Sequence, residues 1–268
     1  MRLWLLGSGS KGNALLVECG DTRVLVDAGF SARRIAERLQ GIGVDPASIC
    51  ALLLTHEHSD HICGVASAAN RWAWPIHGTA GTLSALPPIG AATRTLAAGE
   101  CVTIGGLVLQ SVRTSHDASD PVAYVATSQA TGMRAAIVTD LGVVTEPVRE
   151  AVRAADVLVV ESNHDPVMLQ HGPYPYYLKR RVAGSHGHLS NDAAGRLVTE
   201  CAHRGLRQVV LAHLSETNNT PATALASMQR VTRKARWRGD LVAAPQHGVI
   251  GPFGDTGSSP GGQLSLGL

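Results

Sequence analysis

Apolar and polar positions along the chain fall into short strand-like runs separated by stretches of helical spacing. Leu3 to Leu6, Ala14 to Cys19 and Arg23 to Val26 are apolar runs bounded by Gly7-Ser8-Gly9-Ser10-Lys11-Gly12-Asn13 and by the turn Gly20-Asp21, which predicts an antiparallel meander. Ser31 to Gln40 sets Ile35, Ala36 and Leu39 at helical spacing, and Gly41 and Gly43 end it. Ile49 to Leu54 is unbroken apolar sequence, as a buried strand requires. Leu107 to Arg113 alternates and is followed by a hairpin partner, Val122 to Thr127. Arg134 to Thr139, Asp156 to Val160, Gln208 to Ala212 and Leu241 to Ala244 read as further strands. Glu146 to Ala155, Ala193 to His203 (capped by Ser190 or Asn191) and Ala222 to Lys234 read as helices.

Five of these strands end in a histidine or an acid. Ile49–Leu54 leads into His56-Glu57-His58-Ser59-Asp60-His61, and the later strands lead into His116, Asp140, Glu161 and His213. In α/β architectures ligands gather at strand ends, so these side chains can converge on one rim. In an extended segment His56 and His58 point the same way. A helix begun at Ser59 or Asp60, both good N-caps, swings Asp60 and His61 to the adjacent side. One short stretch can thus serve two neighbouring ions, and its density of imidazole and carboxylate suits divalent zinc or manganese better than a solvated polar loop.

Other residues are read against plainer roles. Asp27 closes the third strand, where a carboxylate can orient a ligating histidine, with helix capping as the competitor. Lys11 and Asn13 in the glycine-serine loop can face an anion, although the loop lacks the spacing of a phosphate-cradling P-loop and reads equally as a mobile turn. Cys63 is expected to be buried packing, and His77 a satisfied histidine away from the chemistry. Lys179, Arg180 and Arg181, preceded by Tyr174, Tyr176 and Tyr177, form the one phosphate patch. The alternative is a solvated helix face.

Composition adds bounds. The chain has 268 residues, 44% of them hydrophobic, enough for a substantial core and a single large domain over 1–252. The Gly, Ser and Pro-rich tail over 253–268 is expected to be flexible. A net charge of +2 leaves recognition of an anionic partner to a local patch. The five cysteines are widely spaced and never paired as Cys-x-x-Cys, which argues against a disulfide framework and fits a reducing cytoplasm. No stretch has the apolar length of a signal peptide or a bilayer span, so a membrane partner is not expected.

The set HEHSDH at 56–61, His116, Asp140 and His213, in that order, resembles the metallo-β-lactamase superfamily over roughly residues 1 to 250. That resemblance implies an α/β fold (α+β in layer terms), a four-layer αββα metallo-β-lactamase sandwich with a dinuclear site on its open edge. Carried over, His56, His58 and His116 would hold one ion and Asp60, His61 and His213 the other. Asp140 would bridge them and Asp27 would support the site. LGSGSKGNALLVE, SHDASDPVAYV, ESNHDPVMLQHGPYPYYLKRRVAGSHGHLSN and LAHLSETNN are similar to the YycJ/WalJ-like branch of nucleases, and GHLSNDAAGRLV and LVVESN to RNase Z. By that comparison His188 is a proton donor and Glu161 its partner.

The implied cofactors are two divalent metal ions, Zn2+ or Mn2+, and the implied partner is a nucleic acid substrate, DNA first. The implied reaction is phosphodiester hydrolysis, a 5′ to 3′ exonuclease activity. A hydroxide shared by two cations is the nucleophile, with Asp60 among the catalytic residues, and an acid on the far side protonates the departing alkoxide. Lys11, Asn13, Asn163, Lys179, Arg180 and Arg181 are the candidate substrate contacts. The competing reading is a hydrolase of a small phosphodiester, thioester or lactam on the same metals.

Overall fold

The computed structural model describes residues 1–233 and 235–255. Its strands, in chain order, are β1 (Arg2–Gly7), β2 (Ala14–Cys19), β3 (Thr22–Val26), β4 (Ala51–Leu53), β5 (Ile76–Gly78), β6 (Thr93–Thr95), β7 (Cys101–Ile104), β8 (Leu107–Arg113), β9 (Val122–Ser128), β10 (Arg134–Val138), β11 (Val157–Glu161), β12 (Gln208–Ala212), β13 (Asp240–Ala243) and β14 (Ile250–Gly254). They form two seven-stranded sheets, ordered β14-β1-β2-β3-β4-β5-β6 and β13-β12-β11-β10-β9-β8-β7. The meander of β1, β2 and β3 is antiparallel as expected, and β10 to β13 run parallel.

Side-chain alternation builds the layers, because successive residues of a strand face opposite sides. Leu3 and Leu5 of β1, Val157 and Val159 of β11 and Val210 of β12 meet in one core between the sheets. Their neighbours Trp4 and Leu6 pack outward with Ile35 and Leu39 of α1 (Ala32–Gly41). Leu158, Val160, Val209 and Leu211 pack on the other side against Val148 and Leu197. Those two residues belong to α5 (Glu146–Arg153) and α8 (Asn191–Cys201). Strands covered on both faces read as continuous apolar runs. The result is a four-layer αββα sandwich. The remaining helices are α2 (Ser59–Ile62), α3 (Val65–Trp72), α4 (Ala80–Ser84), α6 (Pro166–His171), α7 (Tyr176–Val182) and α9 (Pro221–Thr232). Among the described residues no helix is long and apolar enough to cross a membrane.

Some expectations change. His58, and neither Ser59 nor Asp60, is the N-cap of α2, and its side chain makes no capping bond because it is turned toward Asp117 and His116. Cys63 is exposed, its thiol bonded to the Gly29 carbonyl, so it is not core packing. His77 keeps its expected place as an interior histidine, buried inside β5 and in none of the candidate metal groups. Phe253, assigned above to the tail, is buried in β14 opposite Leu3. Lys234 and residues 256–268 lie outside the described residues.

A backbone network sets α2 against the end of β3. Asn13 N–H donates to Asp60 O, Ala28 N–H to His61 O and Gly64 N–H to Ala28 O, each at 2.8 Å. The approach is so close that a Cβ at Gly29 would overlap the Asp60 carbonyl, and one at Gly64 the Phe30 carbonyl. Gly29→Ala is therefore expected to cost about 1–3 kcal/mol by overpacking, read as a lower urea midpoint. An unchanged midpoint would show that the contact yields freely.

Candidate metal centre

The rim at the strand ends is held by backbone as well as by side chains. Asp27 after β3, Asp140 after β10 and His213 after β12 all have left-handed backbone, with φ of 61°, 57° and 52°. Such conformations are uncommon for non-glycine residues, and they turn each side chain off its strand into a shared space. His56, His58, Asp60 and His61 follow β4, His116 follows β8, and Glu161 is the last residue of β11.

Hydrogen bonds to one ring nitrogen define what the other can do. His116 Nδ1 lies 2.9 Å from the Gly187 carbonyl, which only accepts, so Nδ1 carries the proton and Nε2 is bare. His58 Nε2 lies 3.2 Å from the Asp117 carbonyl, which leaves its Nδ1 bare. Those two bare nitrogens face each other at 3.2 Å. Thr55 donates its hydroxyl proton to Asp27 Oδ2 and so accepts from His56 Nδ1, leaving the buried His56 Nε2 with no hydrogen-bond partner. Three lone pairs directed at one point repel one another unless a cation lies among them. The donor set of His56, His58 and His116 therefore fits a divalent metal.

Asp60, His61 and His213 form the adjacent group. Asp27 Oδ2 accepts a hydrogen bond from His61 Nδ1–H at 2.8 Å, which directs Nε2 to Asp140 and Asp60 at 3.3 and 3.5 Å. Asp60 Oδ2 lies 3.4 Å from His213 Nε2. Asp140 groups with His56 of the first set and His61 of the second, and its Oδ2 has no hydrogen-bond donor. Asp140, Glu161, His188 and His213 also lie close enough to share an ion. Glu161, however, is satisfied without one. Its Oε1 accepts from His188 Nδ1 at 2.7 Å and His213 Nδ1 at 2.9 Å, and its Oε2 from the backbone N–H of Leu141 and Leu189.

The electrostatics follow from this wiring. Burial would push the Asp140 carboxyl up, but the surrounding imidazoles, His213 and His61 foremost, hold it well below the usual range. Burial likewise disfavours charge on His213, yet Asp140, Asp60 and Glu161 outweigh it and push its pKa up to about 10. Burial lowers His56, and neighbouring His61 adds to the effect. His188 is desolvated too, but Glu161 raises its pKa. Glu161 itself, despite complete burial, is held down to about 2 by His188 and His213.

Part of this set opens on a cleft of about 330 Å³ bounded by His58, Asp60, Asp140, His188, His213 and Arg181. Arg181 is the one member of the basic run at this cleft, paired with Asp117 at 2.6 Å. Lys179 and Arg180 lie on the opposite face of α7. Asn13 and Asn163, expected to face substrate, are buried structural groups. Asn13 Nδ2 donates to Asp60 O and Oδ2, and Asn163 Nδ2 donates to His213 O, because each closes a loop beside a cluster residue. Lys11 pairs with Glu216 at 2.6 Å and is not among the cleft residues. Thr55, Asp117 and Gly187 hold the candidate ligands in place and are not singled out by the sequence. Thr55 and Asp117 each adjoin a candidate ligand, a signal that was available, whereas the role of Gly187 rests on a carbonyl that any residue carries.

The fold and the cluster define a metallo-β-lactamase type of domain, and the chain belongs to the family described as Beta-lactamase superfamily domain, whose model matches residues 22–214. Among curated relatives it is similar to Exodeoxyribonuclease YycJ of Bacillus anthracis, at 32% identity over 85% of this chain and 87% of the relative. Exodeoxyribonuclease WalJ of Streptococcus pneumoniae is also 32% identical, over 84% and 85%. Among solved structures, the metallo-beta-lactamase fold protein YhfI from Bacillus subtilis superposes with a TM-score of 0.72 at 18% identity, covering 93% of this chain and 98% of that one.

His164, beside Glu161, bears on stability. Burial lowers its pKa from 6.5 to about 4. As pH falls through 6.5 the unfolded chain binds a proton that the folded one refuses, so this stabilisation is present above 6.5 and lost toward 4. The stability advantage of the parent over His164→Asn should shrink by about 3 kcal/mol between pH 7 and 4 in urea unfolding. A constant difference would exclude a buried neutral imidazole.

Proposed function

We propose that this chain is a dinuclear-metal phosphodiesterase that digests nucleic acid, with DNA as substrate and 5′ to 3′ exonuclease action. Similarity to two exodeoxyribonucleases over most of both chains supports the substrate class. The observation that carries the reaction type is Glu161 bonded at once to His188 and His213. It supports the reading of His188 as the acid, since His188 lines the cleft that His58, Asp60, Asp140 and His213 also line.

In this reading His56, His58 and His116 hold one ion and Asp60, His61 and His213 the other. Asp140 lies between the sets and links them. Zinc or manganese suits these nitrogen and oxygen donors. Bound there, the ions supply Lewis acidity that lowers the pKa of water toward neutrality and offsets the charge of a phosphodiester.

The chain's own residues do the rest. Glu161 binds His188 at Nδ1 and favours the imidazolium, so the proton on Nε2 is the one available to the cleft. That proton goes to the departing alkoxide, which water protonates poorly at neutral pH. Glu161 and Asp140 also fix the ring of His213, so the acid and the second metal set share one support. Arg181 at the mouth of the cleft is positioned to take a non-bridging phosphate oxygen by exchange with Asp117.

The test is digestion of DNA labelled at either end, with zinc, manganese or magnesium, alongside metal analysis. The parent is expected to bind two ions per chain, to release 5′-terminal nucleotides first and to lose activity on chelation. His188→Ala should keep its metal and lose about 10²–10⁴-fold in kcat on DNA, and less on bis(p-nitrophenyl) phosphate, whose leaving group needs no acid. Asp140→Ala should lose metal. No digestion with any of the three metals would overturn the reading.

A further inference from the structure

A cavity of about 660 Å³ opens at the far end of the sheet that carries His213. Arg207 stands just before β12 and His213 just after it, so the length of that strand separates the cavity from the metal rim. The separation is roughly 20 Å, at about 3.3 Å per residue. Two segments build the cavity. Arg204 and Arg207 come from the turn before β12, and Arg236 and Arg238 from the turn between α9 and β13. Arg207 N–H donates to the Asp156 carbonyl and Asp240 N–H to the Arg207 carbonyl, both at 2.8 Å. Trp237 donates its indole N–H to the Leu206 carbonyl at 2.8 Å and packs on the core beneath α5 and α8, which anchors the second turn. A Cβ at Gly239 would overlap both the Trp237 ring and the Arg207 carbonyl, so the two turns are in close contact.

Elsewhere on the surface arginines stand beside acids, as Arg33 does with Glu37, Arg113 with Asp120 and Arg153 with Glu146. Here they do not. All four cavity arginines are exposed, and among the described residues Arg204, Arg236 and Arg238 form no ion pair. Arg207 reaches Asp156 only at 3.9 Å, and Asp240, the one acid in the lining, pairs with none of the four. In a chain of net charge +2, these cations concentrate the positive field at one place. Arg236 also takes left-handed backbone, with φ of 56°, which a glycine or asparagine would hold more easily. Like charges gathered from segments distant in sequence repel one another, and an anion shared among them relieves the repulsion. The charges stand on exposed side chains around an open cavity, which suits a row of phosphates better than one enclosed anion.

We infer that this cavity is a second contact for the phosphate backbone of the nucleic acid substrate, away from the metal cleft. The inference rests on the nuclease reading and adds to it where the uncleaved part of the substrate is held. Stacked nucleotides advance about 3.4 Å each, so a span of roughly 20 Å brings phosphates about six nucleotides from the scissile bond to this end of β12. The route runs along β13, the edge strand of its sheet. Contact here is independent of base sequence, and it raises the effective concentration of substrate at the cleft without touching the reacting bond.

The test measures kcat and KM of the metal-loaded parent on long DNA across a range of salt, with bis(p-nitrophenyl) phosphate as the small substrate. Arg204→Ala/Arg238→Ala removes two unpaired charges, and Arg204→Lys/Arg238→Lys keeps them. Arg33→Ala/Arg34→Ala removes two charges from α1 as a control of equal net charge. All these side chains are exposed, so none of the substitutions disturbs the core. Arg204→Ala/Arg238→Ala is expected to raise KM on DNA about tenfold at low salt. It should also lower the slope of log KM against log salt by about two, with kcat and cleavage of the small ester unchanged. The lysine variant and the α1 control should behave as the parent. In a parent that digests DNA, an unchanged KM and slope for Arg204→Ala/Arg238→Ala, or an equal change in the α1 control, overturns the contact and leaves the nuclease reading standing. Binding of inorganic pyrophosphate that the alanine pair abolishes, with KM on DNA unchanged, assigns the cavity to a small anion and overturns the contact likewise. A parent that digests no DNA overturns both.

Discussion

The constraint on which the rest of this molecule depends is the burial of carboxylates that no lysine or arginine neutralises. Asp27, Asp140 and Glu161 are each at most 3% exposed, and Asp60 adjoins them. Among the described residues their ion-pair partners are histidines alone. Removing such charges from water is expensive unless opposite charge accompanies them. Imidazoles supply it weakly, since each must also be desolvated to become charged. Divalent cations supply it fully. The same bare nitrogens and unbonded carboxylate oxygen that make the rim costly without ions make it a strong ligand field with them, and metal binding adds to the stability of the fold.

Strain is placed where the charge is. Left-handed backbone at Asp27, Asp140 and His213 recurs at three separate strand ends on the cluster. Aspartate tolerates this conformation better than most residues, whereas His213 relies on its surroundings. Its amide is held by Ser8 and its carbonyl by Asn163. Asn13 and Asn163 therefore matter as braces for the turn geometry.

Much of this was legible in sequence for a physical reason. Strands buried on both faces are forced to be apolar without interruption, so β12 appears at its true boundaries and the residue that breaks its run, His213, marks the rim. The clustering of His56, His58, Asp60 and His61 is equally local, because four side chains within six residues need no tertiary information to be neighbours. What was not legible is set by contacts distant in sequence. That Asn13 braces Asp60 depends on a pairing across 47 residues. The thiol of Cys63 is drawn outward by the Gly29 carbonyl, 34 residues away. The short strands β6 and β7 are exposed or half-covered and lack an apolar signature. β14 reads as tail because Gly251, Pro252 and Gly254 surround Phe253, the residue it buries.

The run Lys179-Arg180-Arg181 shows how a helix separates what a sequence merges. Read linearly, three adjacent cations form one phosphate patch. Wound at 100° per residue they cannot share a face: Arg181 turns to the metal cleft while Lys179 and Arg180 turn away with Tyr176. The basic run is thereby split between the two sides of one short helix. That helix ends on the backbone of His188, whose N–H donates to the Val182 carbonyl, so the placement of this imidazole depends on how α7 is packed. The rim groups the candidate metal ligands, whereas the winding of α7 decides which cation of the run stands beside them.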